Sequence, residues 1–140
     1  MPQAHPYQNY QTAEVQTADQ RRLIVMLYDG AIRFLKKADA KIEAKDFEGA
    51  HNYLVRSREI VAELLASLRP EIAGQIGANL KRLYVYVFNR IVEANLLKDQ
   101  AILAEVIGIL TTLRQGWENI KPAPQARRPG EELRKVNLRG

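Results

Sequence analysis

The sequence predicts an all-α protein folded as an antiparallel up-down four-helix bundle. All six prolines lie near the two ends or at position 70, which leaves two long stretches without a helix breaker. These stretches are rich in Ala, Leu, Glu, Lys and Arg, and their apolar residues recur every three or four positions. Because the connections between the helices are very short, consecutive helices must run in opposite directions.

The first helix is expected to begin near Asp19, since aspartate is a favoured N-cap residue. The second helix should follow the break at Lys45-Asp46 and end at Arg69-Pro70, because a proline disfavours helix at the residue before it. The core-facing stripe of the first helix is Ile24, Leu27, Tyr28, Ala31, Leu35, Ala38 and Ile42. The stripe of the second is Phe47, Ala50, Leu54, Val61, Leu65 and Leu68.

The third helix is predicted from about Glu71 to Leu97, and Asp99 can cap the fourth, which ends before Pro122. The third helix presents Ala73, Leu80, Tyr84, Val87, Phe88, Ile91 and Asn95 on one face. The fourth presents Ile102, Leu103, Val106, Ile109, Leu110, Leu113, Trp117 and Ile120. Asn95 is the polar member of these two stripes and would need a hydrogen-bond partner.

Three regions follow from this pattern: a short N-terminal leader or cap segment over residues 1–17, the bundle over 18–121, and a flexible tail over 122–140. From Lys121 onward the chain carries a net charge of +4, which leaves +1 for the 120 residues before it. A basic tail on a nearly neutral body is typical of a solvated segment, so no nucleic-acid partner is expected.

Composition excludes several classes of protein. The chain has no cysteine, and therefore no disulfide, thiolate metal site or cysteine nucleophile. No apolar run reaches the roughly 18 residues that a membrane span requires, and the first ten residues lack the basic and apolar regions of a signal peptide. We therefore expect a soluble intracellular protein, without membrane insertion.

No catalytic, cofactor-binding or metal-binding residue is predicted. A di-iron bundle needs two Glu-x-x-His motifs, and Glu48 with His51 supplies only one, on a side of the second helix away from its stripe. Histidine phosphotransfer domains are also four-helix bundles, so His51 is an alternative phosphate acceptor by fold analogy alone. The residues just after His51 bring no positive charge close to it, which argues against that alternative.

The informative feature is an excess of apolar residues beside the core stripes. The apolar arc of the first helix is nearly twice the roughly 100° that a peripheral bundle helix needs. Such residues either flank a tight core or line an exposed groove that accepts a partner. The residues expected to bind a partner are Tyr7, Tyr10, Leu23, Met26, Phe34, Tyr53, Ile60, Leu64 and Tyr86. The two leader tyrosines could cap such a groove.

The run from Leu23 to Leu35, with Tyr28-Asp29-Gly30 at its centre, resembles the first-helix signature of the flagellin-specific export chaperones, the FliS family. The segment Arg90 to Asn95 followed by Lys98-Asp99 is similar to the end of that family's third helix. Leu103 to Trp117 is similar to its fourth. The chain departs from the family by having Asp19-Gln20 where Ser-Pro is common, and its tail from Pro122 has no counterpart.

This resemblance implies a non-enzymatic cytoplasmic chaperone that uses no nucleotide. It would bind the disordered C-terminal segment of flagellin, prevent premature polymerisation and assist delivery to the flagellar type III secretion apparatus. In the family an N-terminal segment competes for the client groove, which would correspond to Tyr7 and Tyr10. The competing interpretation is a self-associating helical adaptor, which would bury the surplus apolar stripes in a homodimer when no client is present.

Overall fold

The structure is a computed structural model that describes the backbone of residues 6–68 and 74–119, and the side chains of 20–68 and 75–119. This part of the chain forms four helices: α1 (Pro6–Glu43), α2 (Phe47–Ala66), α3 (Gly74–Leu97) and α4 (Gln100–Asn119). Helix α1 packs against α2 and α4, and α3 packs against the same two helices. This arrangement confirms the predicted all-α four-helix bundle.

Side-chain contacts between the first and last helices show that they run in opposite directions. Gln100, at the start of α4, donates hydrogen bonds to Asp39 (3.1 Å) and Glu43 (3.0 Å), near the end of α1. Farther along α4, Arg114 forms an ion pair with Asp29 in the middle of α1. The chain therefore follows the up-down order that its short connections impose.

The start of α1 differs from the prediction, because the helix begins at Pro6 and not near Asp19. Proline suits the first turn of a helix, where its missing N–H would have no partner. Residues 7–17 contain neither proline nor glycine, so nothing in them stops a helix from continuing. The side chains of Tyr7 and Tyr10 lie outside the described residues, as does the whole of the tail at 122–140.

Both tight connections of the bundle use the same dipeptide, Lys-Asp. Lys45 ends the first helix and Lys98 ends the third, each in the left-handed region with φ of 62° and 51°. A left-handed residue turns the backbone away from the helix axis, which stops the helix at that point. The predicted break at Lys45-Asp46 is confirmed, whereas the predicted turn at Arg69-Pro70 lies outside the described residues.

The aspartate of each dipeptide caps the helix that follows. Asp46 Oδ1 accepts a hydrogen bond from the Gly49 backbone N–H (2.9 Å), and this bond lowers the pKa of the Asp46 carboxyl. Asp99 Oδ1 accepts from the N–H groups of Ala101 (2.8 Å) and Ile102 (3.3 Å). These bonds satisfy N–H groups that the helix itself leaves unpaired. The prediction that Asp99 caps the fourth helix is confirmed.

The core contains apolar side chains from all four helices, and most of the predicted stripes lie in it. The buried residues include Ile24, Ala31, Leu35, Ala38, Ile42, Ala50, Leu54, Val61, Val87, Ile91, Ile102, Leu103, Val106 and Leu110. The prediction was wrong for Phe47, which is 49% exposed because it is the first residue of α2 and lies beyond the packed layers. Asn95 is half-buried, and its amide nitrogen lies 2.9 Å from His51 Nδ1.

Two tyrosines from diagonally opposite helices meet inside this core. Tyr28 of α1 and Tyr84 of α3 are almost completely buried, and their hydroxyls form a hydrogen bond with each other. Burial raises the pKa of both phenols above the ordinary value of 10.0, because the phenolate would lose its hydration. The nearby Trp117 acts in the opposite direction on the pKa of each.

We expect Tyr28→Phe and Tyr84→Phe each to lower the free energy of unfolding by about 1–3 kcal/mol, because each leaves the other hydroxyl buried without its partner. The double variant should lose clearly less than the sum, since it leaves no unpaired hydroxyl. Urea unfolding of the four proteins measures this cycle. Additive losses would mean that the two hydroxyls do not interact.

The same pair should make the protein sensitive to alkali. Above about pH 10 the unfolded tyrosines lose protons that the folded ones retain, so the free energy of unfolding falls as the pH rises. The loss should be absent below that pH and smaller in the double phenylalanine variant, measured by urea unfolding between pH 8 and 11.

Two glycines of the bundle should respond differently to alanine. A Cβ at Gly108 would have no atom within 4 Å, so Gly108→Ala should stabilise the protein by about 0.5–1 kcal/mol through helix propensity. A Cβ at Gly49 would lie 2.5 Å from Asp46 Oδ2, so Gly49→Ala must displace the capping carboxylate. We expect no gain in thermal stability for Gly49→Ala; equal gains would show that the cap contributes nothing.

Candidate partner-binding groove

A solvent-open groove runs along the bundle between α1 and α2. It is lined by Leu23, Leu27 and Phe34 from α1, and by Arg56, Glu59, Ile60 and Glu63 from α2. We call this surface the α1/α2 groove. Leu23 is 54% exposed, whereas Leu27 and Ile60 are half-buried and pack onto the core below. The groove therefore has an apolar floor that is continuous with the core.

The floor depends on a glycine in the middle of α1. A Cβ at Gly30 would lie 3.2 Å from Ile60 Cδ1, closer than ordinary van der Waals contact. The absence of a side chain at Gly30 lets α2 place Ile60 against the backbone of α1. Asp29-Gly30 is helical, as the sequence pattern predicts, and the glycine serves close packing and not a turn.

One end of the groove carries a stacked aromatic pair. The rings of Phe34 and Tyr53 lie 5.9 Å apart with an angle of 25° between their planes. The guanidinium groups of Arg33 (5.4 Å) and Arg56 (5.7 Å) lie over the Phe34 ring, and Lys37 Nζ lies 5.7 Å from the Tyr53 ring. Cations at these distances are attracted to the negative faces of the rings. This end of the groove is therefore both aromatic and positively charged.

The structure brings together four of the predicted partner-binding residues. Leu23, Phe34 and Ile60 line the α1/α2 groove, and Tyr53 extends it by stacking on Phe34. These four residues form one surface, although their role in binding remains a prediction. Met26 is 60% exposed and lies one turn from Leu23 on α1, but it does not line the groove.

Leu64 does not belong to that surface. It has no exposed area and is one of the largest fully buried side chains, so the expectation that it is available to a partner is wrong. Helix α2 contacts both α1 and α3, and its buried face is therefore wider than a single stripe. Leu64 lies within this wider face.

Tyr86 is exposed but lies on another side of the bundle. It belongs to α3, where it adjoins a shallow patch that also contains Ala78, Lys81, Arg82 and Val85. Its hydroxyl donates a hydrogen bond to Glu105 Oε2 (2.5 Å), which raises the pKa of Tyr86 and lowers that of Glu105. Arg90 also bonds Glu105, at 2.8 Å. Tyr86 thus takes part in a contact between α3 and α4.

The charged residues of the groove were not predicted from the sequence. Arg56, Glu59 and Glu63 line it, and Leu27, assigned to the core stripe, forms part of its floor. Charged residues on a helix are usually solvated, so the sequence carries no signal that sets these three apart. Their place depends on how α2 packs beside α1.

His51 is linked through Asn95 to a lysine. Its Nδ1 lies 2.9 Å from the Asn95 amide nitrogen, and Asn95 Oδ1 accepts a hydrogen bond from Lys98 Nζ (2.9 Å). The guanidinium groups of Arg56 and Arg58 lie instead over the rings of Phe34 and Phe88. Within residues 20–68 and 75–119, no group of three or more His, Asp or Glu side chains could hold a metal ion. The described helices also include none that is long and apolar enough to cross a membrane.

Comparison with known proteins places the chain in a family. A family model described as flagellar protein FliS matches residues 3–124 of the 140. The chain belongs to the FliS family. This result confirms the resemblance seen in the segment from Leu23 to Leu35, and it includes all four helices of the bundle.

Relatives that carry the FliS name share about a third of the aligned residues. The flagellar secretion chaperone FliS of Bacillus subtilis is 35% identical over 114 residues, covering 81% of this chain and 84% of the relative. That of Salmonella typhimurium is 35% identical over 109 residues, covering 77% and 81%. The flagellar secretion chaperone FliSB of Pseudomonas aeruginosa is 32% identical over 108 residues, covering 77% and 86%. FliS proteins are named as chaperones, which are not enzymes.

The reassignment of Leu64 can be tested by stability. Leu64→Ala should lower the free energy of unfolding of this FliS family member by about 3 kcal/mol, because it removes a fully buried side chain. Leu23→Ala, the matched change in the groove, should cost less than about 0.5 kcal/mol. Chemical denaturation compares the two variants, and similar losses would contradict the structural distinction between them.

Proposed function

We propose that this protein is a flagellar secretion chaperone that binds the disordered C-terminal segment of flagellin in the α1/α2 groove. It would act in the cytoplasm, prevent premature polymerisation of its client and assist delivery to the flagellar type III secretion apparatus. The observation that carries the proposal is an open apolar groove in a member of the FliS family. The names of its relatives support the chaperone role.

The groove suits a client that folds as it binds. Leu23 and Met26 offer more than half of their surface to solvent, and Phe34 with Tyr53 offers a broad ring surface. A disordered segment can become helical along such a surface, with apolar residues every third or fourth position inserted between α1 and α2. Ordering the segment costs free energy, which keeps the affinity moderate and permits release at the secretion apparatus.

The leader would regulate access to this surface. We propose that Tyr7 and Tyr10 occupy the groove when the client is absent. In the continuous helix α1, Tyr7 lies about 24 Å along the axis from Leu23, since each residue adds about 1.5 Å. Capping therefore requires the first turns of α1 to unwind and fold back. The leader and the client would then compete for the same apolar side chains.

A homodimer is the second candidate state of the client-free protein. The end of the bundle that carries the Lys-Asp turns exposes Leu96 (80%), Leu97 (63%) and Phe47 (49%). Apolar side chains at this end could pair between two copies without covering the α1/α2 groove. Dissociation on dilution, followed by analytical ultracentrifugation, would identify such a dimer.

Calorimetric titration with the C-terminal segment of the flagellin of the same bacterium tests the proposed function. We expect saturable binding with a negative heat-capacity change, because apolar surface is buried. Phe34→Ala should weaken binding about tenfold or more, since it removes the aromatic anchor of the groove. The matched change Val85→Ala, on the exposed patch of α3, should leave the affinity unchanged.

Changing Tyr7 and Tyr10 together to Ala tests the leader in the same titration. Tighter binding would show that the leader competes with the client, and weaker binding would show that it grips the client. Absence of binding to the flagellin segment, in a protein whose circular dichroism is that of a folded helical bundle, would disprove the proposed function.

A further inference from the structure

The outer face of α3 carries a regular row of side chains, most of them apolar. Its positions recur at alternating intervals of four and three residues, which is the spacing of a coiled-coil seam. The row consists of Ala78, Arg82, Val85, Asn89, Val92 and Leu96. Val92 is half-buried and the others are exposed, Leu96 by 80% and Val85 by 40%. We call this row the α3 seam.

The α3 seam is separate from both the core and the α1/α2 groove. The core-facing side of α3 is a different row that contains Tyr84, Val87 and Ile91, all of them buried. None of the seam residues lines the α1/α2 groove. Seam spacing keeps one row of side chains against a neighbouring helix over several turns. Because α3 already packs on α2 and α4 through its other sides, the α3 seam suits a helix from outside the bundle.

The charges beside the α3 seam are complementary to themselves when two copies of α3 run antiparallel. Lys81 and Arg82 lie near the start of the seam, and Glu93 lies near its end. The ion pairs of the described bundle include neither Lys81 nor Arg82. Glu93 pairs with Arg90 but keeps 50% of its side chain exposed. In the antiparallel arrangement Arg82 lies beside the partner's Glu93, and twofold symmetry forms this contact twice.

The sizes of the side chains favour the same direction. With the twofold axis level with Val87, Leu96 lies opposite the partner's Ala78, so each end of the contact joins a long side chain to a short one. A parallel pair would place two leucines at one end and two alanines at the other, which leaves a gap between the alanines. It would also bring Arg82 against the partner's Arg82, a repulsive contact.

We propose that two copies of this protein associate through the α3 seam as an antiparallel, twofold-symmetric pair. The seam spans eighteen positions, or about 27 Å of helix. Arg82 and Asn89 interrupt its apolar residues, and a polar side chain in a seam lowers the stability of the pair while favouring one register. The pair is therefore weak and depends on protein concentration.

This pairing gives Tyr86 a role and leaves the α1/α2 groove open. Tyr86, which the sequence predicts to bind a partner, is 43% exposed and borders the α3 seam beside Val85. Since α3 lies diagonally across the bundle from α1, each copy of the pair can still hold a client. The inference does not depend on the proposed function. It also differs from pairing through the end that carries Phe47 and Leu97.

Disulfide formation between two single-cysteine proteins tests the pairing. The chain contains no cysteine, so Ala78→Cys and Leu96→Cys each introduce one thiol at an exposed position. In the antiparallel pair the two ends of the seam meet between the copies, whereas identical positions lie about 27 Å apart. We expect a disulfide-linked dimer from the mixture of the two oxidised proteins, and clearly less from either protein alone.

The other outcomes of this experiment would overturn the inference. A dimer from Ala78→Cys alone would indicate parallel pairing, and one from Leu96→Cys alone would indicate pairing through the end with the Lys-Asp turns. The control mixture joins Leu96→Cys to Ala40→Cys, an exposed position on α1. Equal yields from the two mixtures would mean that the thiols meet by random collision.

Sedimentation equilibrium supplies a second measurement. Val85→Lys should raise the dissociation constant of the pair at least tenfold, because it places an unpaired ammonium group in the contact. Met26→Lys, the matched change at an exposed residue of α1, should leave the constant within twofold. Equal effects of the two variants, or a parent protein that stays monomeric up to about 1 mM, would contradict the pairing.

Titration with the flagellin segment separates this inference from the proposed function. Val85→Lys should bind the segment as tightly as the parent protein does, because the α3 seam and the α1/α2 groove share no residue. Loss of pairing with retained binding is therefore the expected result for Val85→Lys. Loss of both in this variant would contradict the independence of the two surfaces.

Discussion

The hydroxyl pair of Tyr28 and Tyr84 constrains the whole bundle. Almost everything around these groups is hydrocarbon, so each hydroxyl finds a partner only when α1 and α3 stand at one relative height. A slip of either helix by one turn would leave both hydroxyls buried and unpaired. The free-energy cost of that slip is far larger than it would be in a core made of leucine and valine alone. The diagonal pair thereby sets the register of the two helices that do not otherwise pack extensively together.

Once α1 and α3 are fixed, the Lys-Asp turns determine where α2 and α4 begin. Each turn joins a left-handed lysine to an aspartate that caps the next helix, so the chain reverses within two or three residues. Such short connections leave little freedom for the following helix to slide. The shape of the α1/α2 groove depends on the same turns, because Ile60 approaches Gly30 only when α2 stands at one height beside α1.

Much of this architecture could be read from the sequence because it depends on local patterns. The stripe from Ile24 to Ile42 and the cap at Asp99 follow from helix period and side-chain chemistry alone. The start of α1 was misjudged because a good N-cap residue at position 19 does not stop a helix that already runs through it. Phe47 was misjudged because periodicity cannot show where the packed layers end.

The candidate site was less predictable, since it depends on which helices are neighbours. A helical wheel shows two flanks beside the core stripe of each helix, but it does not show which flank a neighbouring helix covers. On α2, Leu64 is fully covered, whereas Ile60 is only partly covered. The contact of the Arg56 guanidinium with the Phe34 ring depends on the antiparallel alignment of α1 and α2, a relation between residues 22 positions apart. Neither fact is present in any local segment.

Trp117 gives the protein an intrinsic fluorescent probe of its fold. It is the sole tryptophan of the sequence; it lies half-buried on α4 against the core, where it lowers the pKa of both Tyr28 and Tyr84. Its emission therefore senses the integrity of the core, with Tyr28 and Tyr84 as nearby donors of excitation energy. Trp117 does not line the α1/α2 groove, so a change in its emission would report loss of the fold and not loss of that binding surface alone.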